Sequence, residues 1–160
     1  MGYYSDIAEG YDELHREEQI KKLKLLAKHF KPKGRMLDIG AGTGISTSFF
    51  NNVDAVALDP SEDMLNHFDG EKAIGDAEHL PFPDKSFDSI ISVTALHHVK
   101  NVGKAAAEIM RVAKDDAAFA FTILKKAKNS EELREKLKKI FDLEEIEEEK
   151  DYILFSRTYC

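Results

Sequence analysis

Short apolar runs alternate along the chain with stretches of helical periodicity. The first such run is Met36, Leu37 and Ile39, interrupted by Asp38 and followed by glycine, which is typical of a buried parallel strand. Upstream of it, hydrophobic residues recur at helical spacing over residues 20–30, and this pattern predicts an amphipathic helix. Pro and Gly within residues 31–34 predict the break between helix and strand.

The same alternation continues to the end of the sequence. Further apolar runs predict six more strands, at residues 53–58, 73–74, 87–93, 117–124, 144–150 and 152–158. A short helix is expected over residues 45–50, and Ser61, Asn101 and Ser130 are N-cap residues that predict three further helix starts. We expect a turn at residues 114–116, before the fifth strand.

Strands that alternate with helices over the whole chain imply an α/β fold. We predict a doubly wound, mainly parallel, seven-stranded sheet covered on both faces by helices. The last two strands follow each other so closely that they must form a hairpin, so one C-terminal strand is expected to run antiparallel. The sequence shows neither an internal repeat nor a second domain, and residues 1–160 are therefore predicted to form one domain.

Composition and charge narrow the classes of partner. The formal net charge is −7 and the lysines are spread over helices, which argues against nucleic acid as an obligatory partner. No apolar run approaches the ~20 residues of a membrane span, and residues 1–10 lack the core of a signal peptide. The sole cysteine, Cys160, rules out a disulfide framework within one chain. A cytoplasmic monomer or homodimer is expected.

The glycine-rich turn after the first strand is the strongest candidate for a ligand site. Residues 40–44 read G-A-G-T-G and lead into a helix, so backbone N–H groups and the positive end of a helix dipole meet there. The dinucleotide fingerprint G-x-G-x-x-G fails, because its third glycine would fall on Ile45 or Thr47. An NAD site is therefore not predicted, while a purely structural turn stays possible.

Acidic residues end the second and third predicted strands. Asp59 and Asp76 would line one crevice with the glycine turn and residues 94–98, since ligands bind at the carboxyl ends of parallel strands. Asp59 can accept two hydrogen bonds from a ribose diol, or it can serve as a charge at a helix N-terminus. Asp76 can accept from an exocyclic amine while the Ala77 N–H meets a ring nitrogen, or it can cap a turn.

Four motifs in this order resemble those of the class I S-adenosylmethionine-dependent methyltransferases. They are L-D-I-G-A-G-T-G, V-A-L-D-P-S-E-D-M-L, G-D-A-E-H-L-P-F-P-D-K-S-F-D-S-I and L-H-H-V. The resemblance is nearest to the branch of ubiquinone and menaquinone biosynthesis (methyltransferase type 11) and is tight over residues 34–111. It implies a Rossmann-like fold, S-adenosylmethionine as methyl donor with S-adenosylhomocysteine as product, and in-line transfer to a small-molecule acceptor.

The resemblance also implies which residues hold the donor. It assigns Asp38, Gly40, Ala41 and Gly42 to the amino-acid end, Asp59 to the ribose, Pro60, Met64, Asp76 and Ala77 to the adenine, and Val93 and Thr94 to the methionine portion.

The N-terminal segment resembles the lid of that family. Residues 3–14 are polar and rich in tyrosine, and we expect a turn or two of helix broken at Gly10. No cap is inserted after Leu124, so residues 1–14 are predicted to cover the cofactor through Tyr11, although simple packing of Tyr11 stays open. Tyr3 and Tyr4 are weaker candidates for the same role.

His97 and His98 are the candidate catalytic residues. A neutral histidine can accept a proton from a hydroxyl, phenol or amine. Adjacent residues point in different directions, so one of the two can equally be a packed side chain. The histidines show no metal-ligand pairing, and no metal site is predicted.

Two other functions fit the same cofactor motifs. A non-catalytic S-adenosylmethionine-binding regulatory protein is compatible with the missing cap and the lack of an evident base. A protein or tRNA methyltransferase is the other alternative, which the acidic balance disfavours.

Overall fold

The chain folds around one seven-stranded sheet. A computed structural model describes the backbone of residues 2–157 and the side chains of residues 13–157. The strands are β1 Arg35–Ile39, β2 Asp54–Asp59, β3 Glu71–Ile74, β4 Phe87–Val93, β5 Ala113–Leu124, β6 Leu143–Glu147 and β7 Asp151–Ser156. The helices are α1 Gly2–Ala27, α2 Ile45–Phe49, α3 Glu62–Leu65, α4 Val102–Val112 and α5 Ser130–Phe141, with a 3-10 helix, η1, at Leu96–His98.

The strand order is β3-β2-β1-β4-β5-β7-β6. Strands β1 to β5 pair in parallel, whereas β7 lies antiparallel between β5 and β6. The chain builds outward from β1 to β3 and then returns to the other side of β1 with β4. The strand order therefore reverses between β1 and β4, and the predicted mainly parallel sheet with one antiparallel strand is confirmed.

Alternating residues of the central strands divide the core into two layers. Leu37 of β1 belongs to a layer that includes buried residues of α4 and α5, while its neighbour Met36 packs on the opposite face. That second face is covered by Leu23 and Leu26 of α1, both fully buried. The predicted apolar stripe of α1 is thus confirmed as the cover of one face.

Helix α1 is longer than the sequence pattern suggests. The helix runs without interruption from Gly2 to Ala27, so the expected break at Gly10 is wrong. A single glycine in a helix costs only about 1 kcal/mol relative to alanine, and no proline accompanies it in this segment. None of the helices within the described residues is long and apolar enough to cross a membrane.

Strand β5 begins earlier than predicted. Residues 114–116 belong to this strand rather than to a turn, because α4 passes directly into β5. The register shifts from Phe87↔Ala113 to Ser89↔Ala118, so the extra residues of β5 form an irregularity against β4.

Two of the three predicted helix caps are confirmed. The Ser61 hydroxyl accepts a hydrogen bond from Met64 N (3.2 Å), and the Asn101 side chain accepts one from Lys104 N (3.1 Å). Ser130 is instead the first residue of α5, and its hydroxyl donates to the carbonyl oxygen of Lys125 (3.0 Å). The prediction for Ser130 is wrong because this hydroxyl is used by the preceding loop.

Candidate functional site

An open cleft of about 1810 Å³ runs along the carboxyl ends of the parallel strands. Its wall includes the glycine turn after β1, Asp59 at the end of β2, Thr94 after β4 and the first residue of β7, Asp151. The polar face of α1 closes one side. The cleft therefore lies at the point where strand order reverses, which is where open α/β sheets bind their ligands.

The glycine turn is fixed to the neighbouring strand by its backbone. The N–H groups of Gly40 and Ala41 both donate to the carbonyl oxygen of Leu58, over 2.8 and 2.9 Å. Gly40 has a φ of 73°, and a Cβ atom there would lie 2.4 Å from Cβ of Ala95. A side chain at position 40 is therefore excluded by both conformation and space, and backbone forms this part of the cleft wall.

The carboxylate of Asp59 holds two sides of the cleft together. Its Oδ2 accepts from Gly42 N and its Oδ1 from Ser61 N, each over 2.9 Å. Each oxygen keeps a lone pair for a further donor. The geometry therefore accommodates both roles predicted for Asp59, the helix N-terminal charge and the acceptor of a vicinal diol.

Asp38 lies behind the glycine turn rather than on the cleft wall. Its side chain is fully buried, and its Oδ2 accepts hydrogen bonds from the hydroxyls of Ser46 (2.5 Å) and Thr47 (2.8 Å). Asp38 thus ties α2 to β1 and positions the turn between them. Burial raises the pKa of Asp38 to about 6, against the lowering effect of the two hydroxyls.

The predicted adenine residues lie together near the ends of β2 and β3. Pro60, Met64, Asp76 and Ala77 all line the cleft, and the Met64 side chain is exposed there. Asp76 Oδ1 accepts from Glu78 N (2.9 Å), which confirms that it caps a turn. Because Asp76 is half exposed, its carboxylate also keeps acceptor capacity toward the cleft.

Val93 is the last residue of β4, and Thr94 follows it beside the glycine turn. Val93 is buried, and Thr94 adopts a φ of 53°, in the left-handed region that β-branched residues rarely occupy. The N–H of Thr94 donates to the Thr122 hydroxyl (2.8 Å) and to its carbonyl oxygen (3.1 Å). Strained backbone of this kind concentrates at functional sites, where the surrounding contacts must hold it.

Sequence reasoning missed a buried ion pair at the side of the cleft. The Lys22 ammonium lies 2.9 Å from Asp151 Oδ2 and 2.7 Å from the Thr94 hydroxyl, and both charged side chains are buried. The Thr94 hydroxyl donates in turn to the same Asp151 oxygen (2.9 Å). The available signals were a lysine beside the apolar stripe of α1 and an aspartate before the apolar run of β7.

The rings of the two candidate catalytic histidines lie against each other, with centroids 4.0 Å apart, but only one of them lines the cleft. His98 is exposed and lines the cleft, whereas His97 is half buried and lies outside the cleft wall. Burial lowers the pKa of His97, with a further contribution from His98, and this favours the neutral ring. The side chain of Tyr11, the predicted lid residue, lies outside the described residues, as do those of Tyr3 and Tyr4.

The residues that line the cleft fit S-adenosylmethionine. A backbone turn without side chains, a carboxylate with free lone pairs and an exposed methionine line one side of the cleft. These features suit, respectively, an amino-acid end, a ribose diol and a flat ring.

Comparisons with known proteins agree with the family resemblance of the sequence motifs. The family model described as a methyltransferase domain matches residues 37–121. An uncharacterised protein of Methanocaldococcus jannaschii is 39% identical over an alignment 128 residues long, which covers 76% of this chain and 50% of that protein. A demethylmenaquinone methyltransferase of Renibacterium salmoninarum is 35% identical over an alignment 124 residues long, which covers 69% of this chain and 52% of that enzyme. The chain therefore spans about half the length of the curated relatives it matches.

A solved structure matches the fold over nearly its whole length. It is a putative S-adenosylmethionine-dependent methyltransferase of Methanococcus maripaludis, with a TM-score of 0.73 and 18% identity. The match covers 96% of this chain and 93% of that one. It supports a Rossmann-like architecture for the sheet and its helices.

Proposed function

The chain belongs to the family of S-adenosylmethionine-dependent methyltransferases, and we propose that it binds S-adenosylmethionine and transfers its methyl group to a small-molecule acceptor. The observation that carries this proposal is the carboxylate of Asp59, fixed against Gly42 at the reversal point of the sheet. An acceptor of two hydrogen bonds beside a glycine turn matches a ribose joined to an amino-acid end.

Each part of the cofactor is assigned to its own group of cleft residues. Gly40, Ala41 and Gly42 face its amino-acid end, Asp59 its ribose, and the adenine residues Pro60, Met64, Asp76 and Ala77 its base. Val93 and Thr94 border the methionine portion. The cofactor supplies an electrophilic methyl group on a sulfonium. The main task of the protein is therefore to align donor and acceptor, which is worth roughly 7–11 kcal/mol in favourable cases.

The acceptor is proposed to be a small molecule. The cleft volume of about 1810 Å³ exceeds the roughly 300–1,000 Å³ usual for one ligand, which leaves room for a second. One relative is named a demethylmenaquinone methyltransferase, and the acceptor in that name is a small molecule. His98 faces this space and can take a proton from the acceptor, whereas His97 lies outside the cleft wall.

A two-step experiment tests the proposal. Calorimetry should show binding of S-adenosylhomocysteine, and labelled S-adenosylmethionine should then transfer its methyl group to a component of a metabolite pool. Binding without transfer to metabolites or protein extracts would favour the regulatory alternative. Label on protein or tRNA instead of a metabolite would contradict the small-molecule acceptor.

A further inference from the structure

Two buried acceptor oxygens in the cleft wall have no hydrogen-bond partner among the described residues. They are Oδ1 of Asp151 and Oε1 of Gln19, and both residues line the cleft. Gln19 precedes Lys22 by three positions on α1, so the two side chains lie on one face of the helix. One unpartnered oxygen thus belongs to the carboxylate that is paired with Lys22, and the other lies on the residue one helical turn before Lys22.

The Asp151 carboxylate is held so that one oxygen is used and the other is free. Lys22 and Thr94 both donate to Oδ2, and Thr94 is itself tied to Thr122. The side chain of Asp151 is only 1% exposed, so solvent does not reach it freely. A buried acceptor without a donor destabilises a protein, and its presence in a cleft points to a ligand that supplies the donor.

The position of Asp151 favours the acceptor half of the cleft. The residues proposed for ribose and adenine follow β2 and β3, on one side of the sheet. Asp151 is the first residue of β7, which lies three strands away from β1 on the other side of the sheet. At ~4.8 Å per strand, this separation is about 14 Å. A ligand that reaches Asp151 therefore extends away from the ribose and adenine residues.

The charge of Lys22 decides which donor the site prefers. A cationic group at Asp151 Oδ1 would lie close to the Lys22 ammonium and be repelled by it. A neutral N–H or O–H group has no such penalty and still satisfies the carboxylate. A neutral amine or hydroxyl also keeps the lone pair that a methyl acceptor must offer.

We propose that Asp151 Oδ1 and Gln19 Oε1 form the recognition site for the methyl acceptor and take a neutral N–H or O–H donor, as in an aromatic amine or a phenol. This inference rests on the proposed function, because the acceptor is defined by methyl transfer. Asp151 and Gln19 bind the acceptor, while Lys22 and Thr94 are positioning residues that hold the Asp151 carboxylate in place.

The test uses matched pairs of small probes on the full chain saturated with S-adenosylhomocysteine. Aniline is compared with N,N-dimethylaniline, and phenol with anisole, because the second member of each pair lacks the donor hydrogen. Binding is followed by the backbone amide signals of Thr94 and Tyr152 in NMR titrations. We expect aniline and phenol to bind at least about tenfold more tightly than their methylated partners.

Two variants separate recognition from folding. Asp151→Asn removes the carboxylate charge, and Gln19→Leu removes the second acceptor while leaving the ion pair intact. Asp151→Asn should weaken the binding of aniline and phenol roughly tenfold, and Gln19→Leu should weaken it about fivefold. Both variants should keep the affinity for S-adenosylhomocysteine within about twofold of that of the unmodified protein. Glu149→Gln is the matched control, since Glu149 lines the cleft but is exposed, and it should change neither affinity. If Asp151→Asn fails to fold, Gln19→Leu still decides the question.

The opposite results would overturn the inference. Equal binding of aniline and N,N-dimethylaniline, including no binding of either, contradicts a donor site. The variants could instead weaken the binding of S-adenosylhomocysteine but not that of 5′-methylthioadenosine, which lacks the amino-acid end. In that case the two oxygens bind the cofactor and not the acceptor. Failure of the unmodified protein to bind S-adenosylhomocysteine would instead overturn the proposed function, and the inference with it.

Discussion

The N–H of Gly42 donates to Oδ2 of Asp59 over 2.9 Å and so joins the turn after β1 to the end of β2. The second oxygen of the same carboxylate holds Ser61 N at the start of α3. One side chain thus fixes two backbone segments that border the cleft and still faces the space between them. Its loss should therefore disturb the site more than the fold.

We expect Asp59→Ala to weaken S-adenosylhomocysteine binding ten- to a hundred-fold. Losing hydrogen bonds to a charged group in a half-buried site costs roughly 1.5–3 kcal/mol. Calorimetry on the folded variant measures the effect. Asp63→Ala, an exposed acidic residue in the first turn of α3, is the control and should bind normally. An unchanged dissociation constant for Asp59→Ala would leave Asp59 as a helix N-terminal charge alone.

NAD should not compete for this site. The turn lacks the third glycine of the dinucleotide fingerprint, which lets helix and strand pack closely around a pyrophosphate. Position 45 carries Ile45 and position 47 the buried Thr47, whose hydroxyl is bound to Asp38. Displacement of labelled S-adenosylhomocysteine by unlabelled S-adenosylhomocysteine, but not by NAD, is the expected result. Calorimetric binding of NAD alone would refute the assignment.

Asp38 should make the free energy of unfolding depend on pH. Its pKa is about 6 in the folded chain against 3.8 ordinarily, so between these values the folded state holds a proton that the unfolded state has released. Stability contributed by this group is therefore present below about pH 4 and falls as pH rises to about 6, by roughly 3 kcal/mol in all.

Urea unfolding of the unmodified protein and of Asp38→Asn over pH 4–7 measures this contribution. The difference in unfolding free energy between the two should shift in favour of Asp38→Asn as pH rises, and level off above about pH 7. Parallel curves across that range would show that Asp38 keeps an ordinary pKa in the folded chain.

Local patterns were sufficient to predict most of the fold. The apolar run of β1, the glycine turn and the caps at Ser61 and Asn101 depend on neighbours within a few residues, and all are confirmed. The break at Gly10 failed because one glycine is a weak signal against the rest of a helix.

The buried ion pair could not be predicted in the same way. Lys22 and Asp151 lie near opposite ends of the sequence, and each looks alone like an ordinary surface charge. They meet because β7 inserts beside β5 and because α1 covers that face of the sheet. Sequence periodicity indicates which face of a helix is buried, but not which polar residue on its border finds a partner across the sheet.

The N-terminal half of α1 is predicted to act as a lid over the cleft. Leu23 and Leu26 bury the second half of the helix, Lys22 ties it to Asp151, and Glu18 pairs with Lys150 over 2.7 Å, so the helix is anchored from residue 18 onward. Ahead of this anchor, Glu13, His15 and Arg16 line the cleft, and Leu14 is 59% exposed. Deleting residues 1–14 should therefore leave a folded domain that binds S-adenosylhomocysteine more weakly.

Hydrogen exchange should show that S-adenosylhomocysteine protects this segment, and Tyr11→Ala should weaken binding more than the control Tyr3→Ala. If the truncated chain binds as tightly as the full one, the segment is not a lid and the acceptor meets an open cleft.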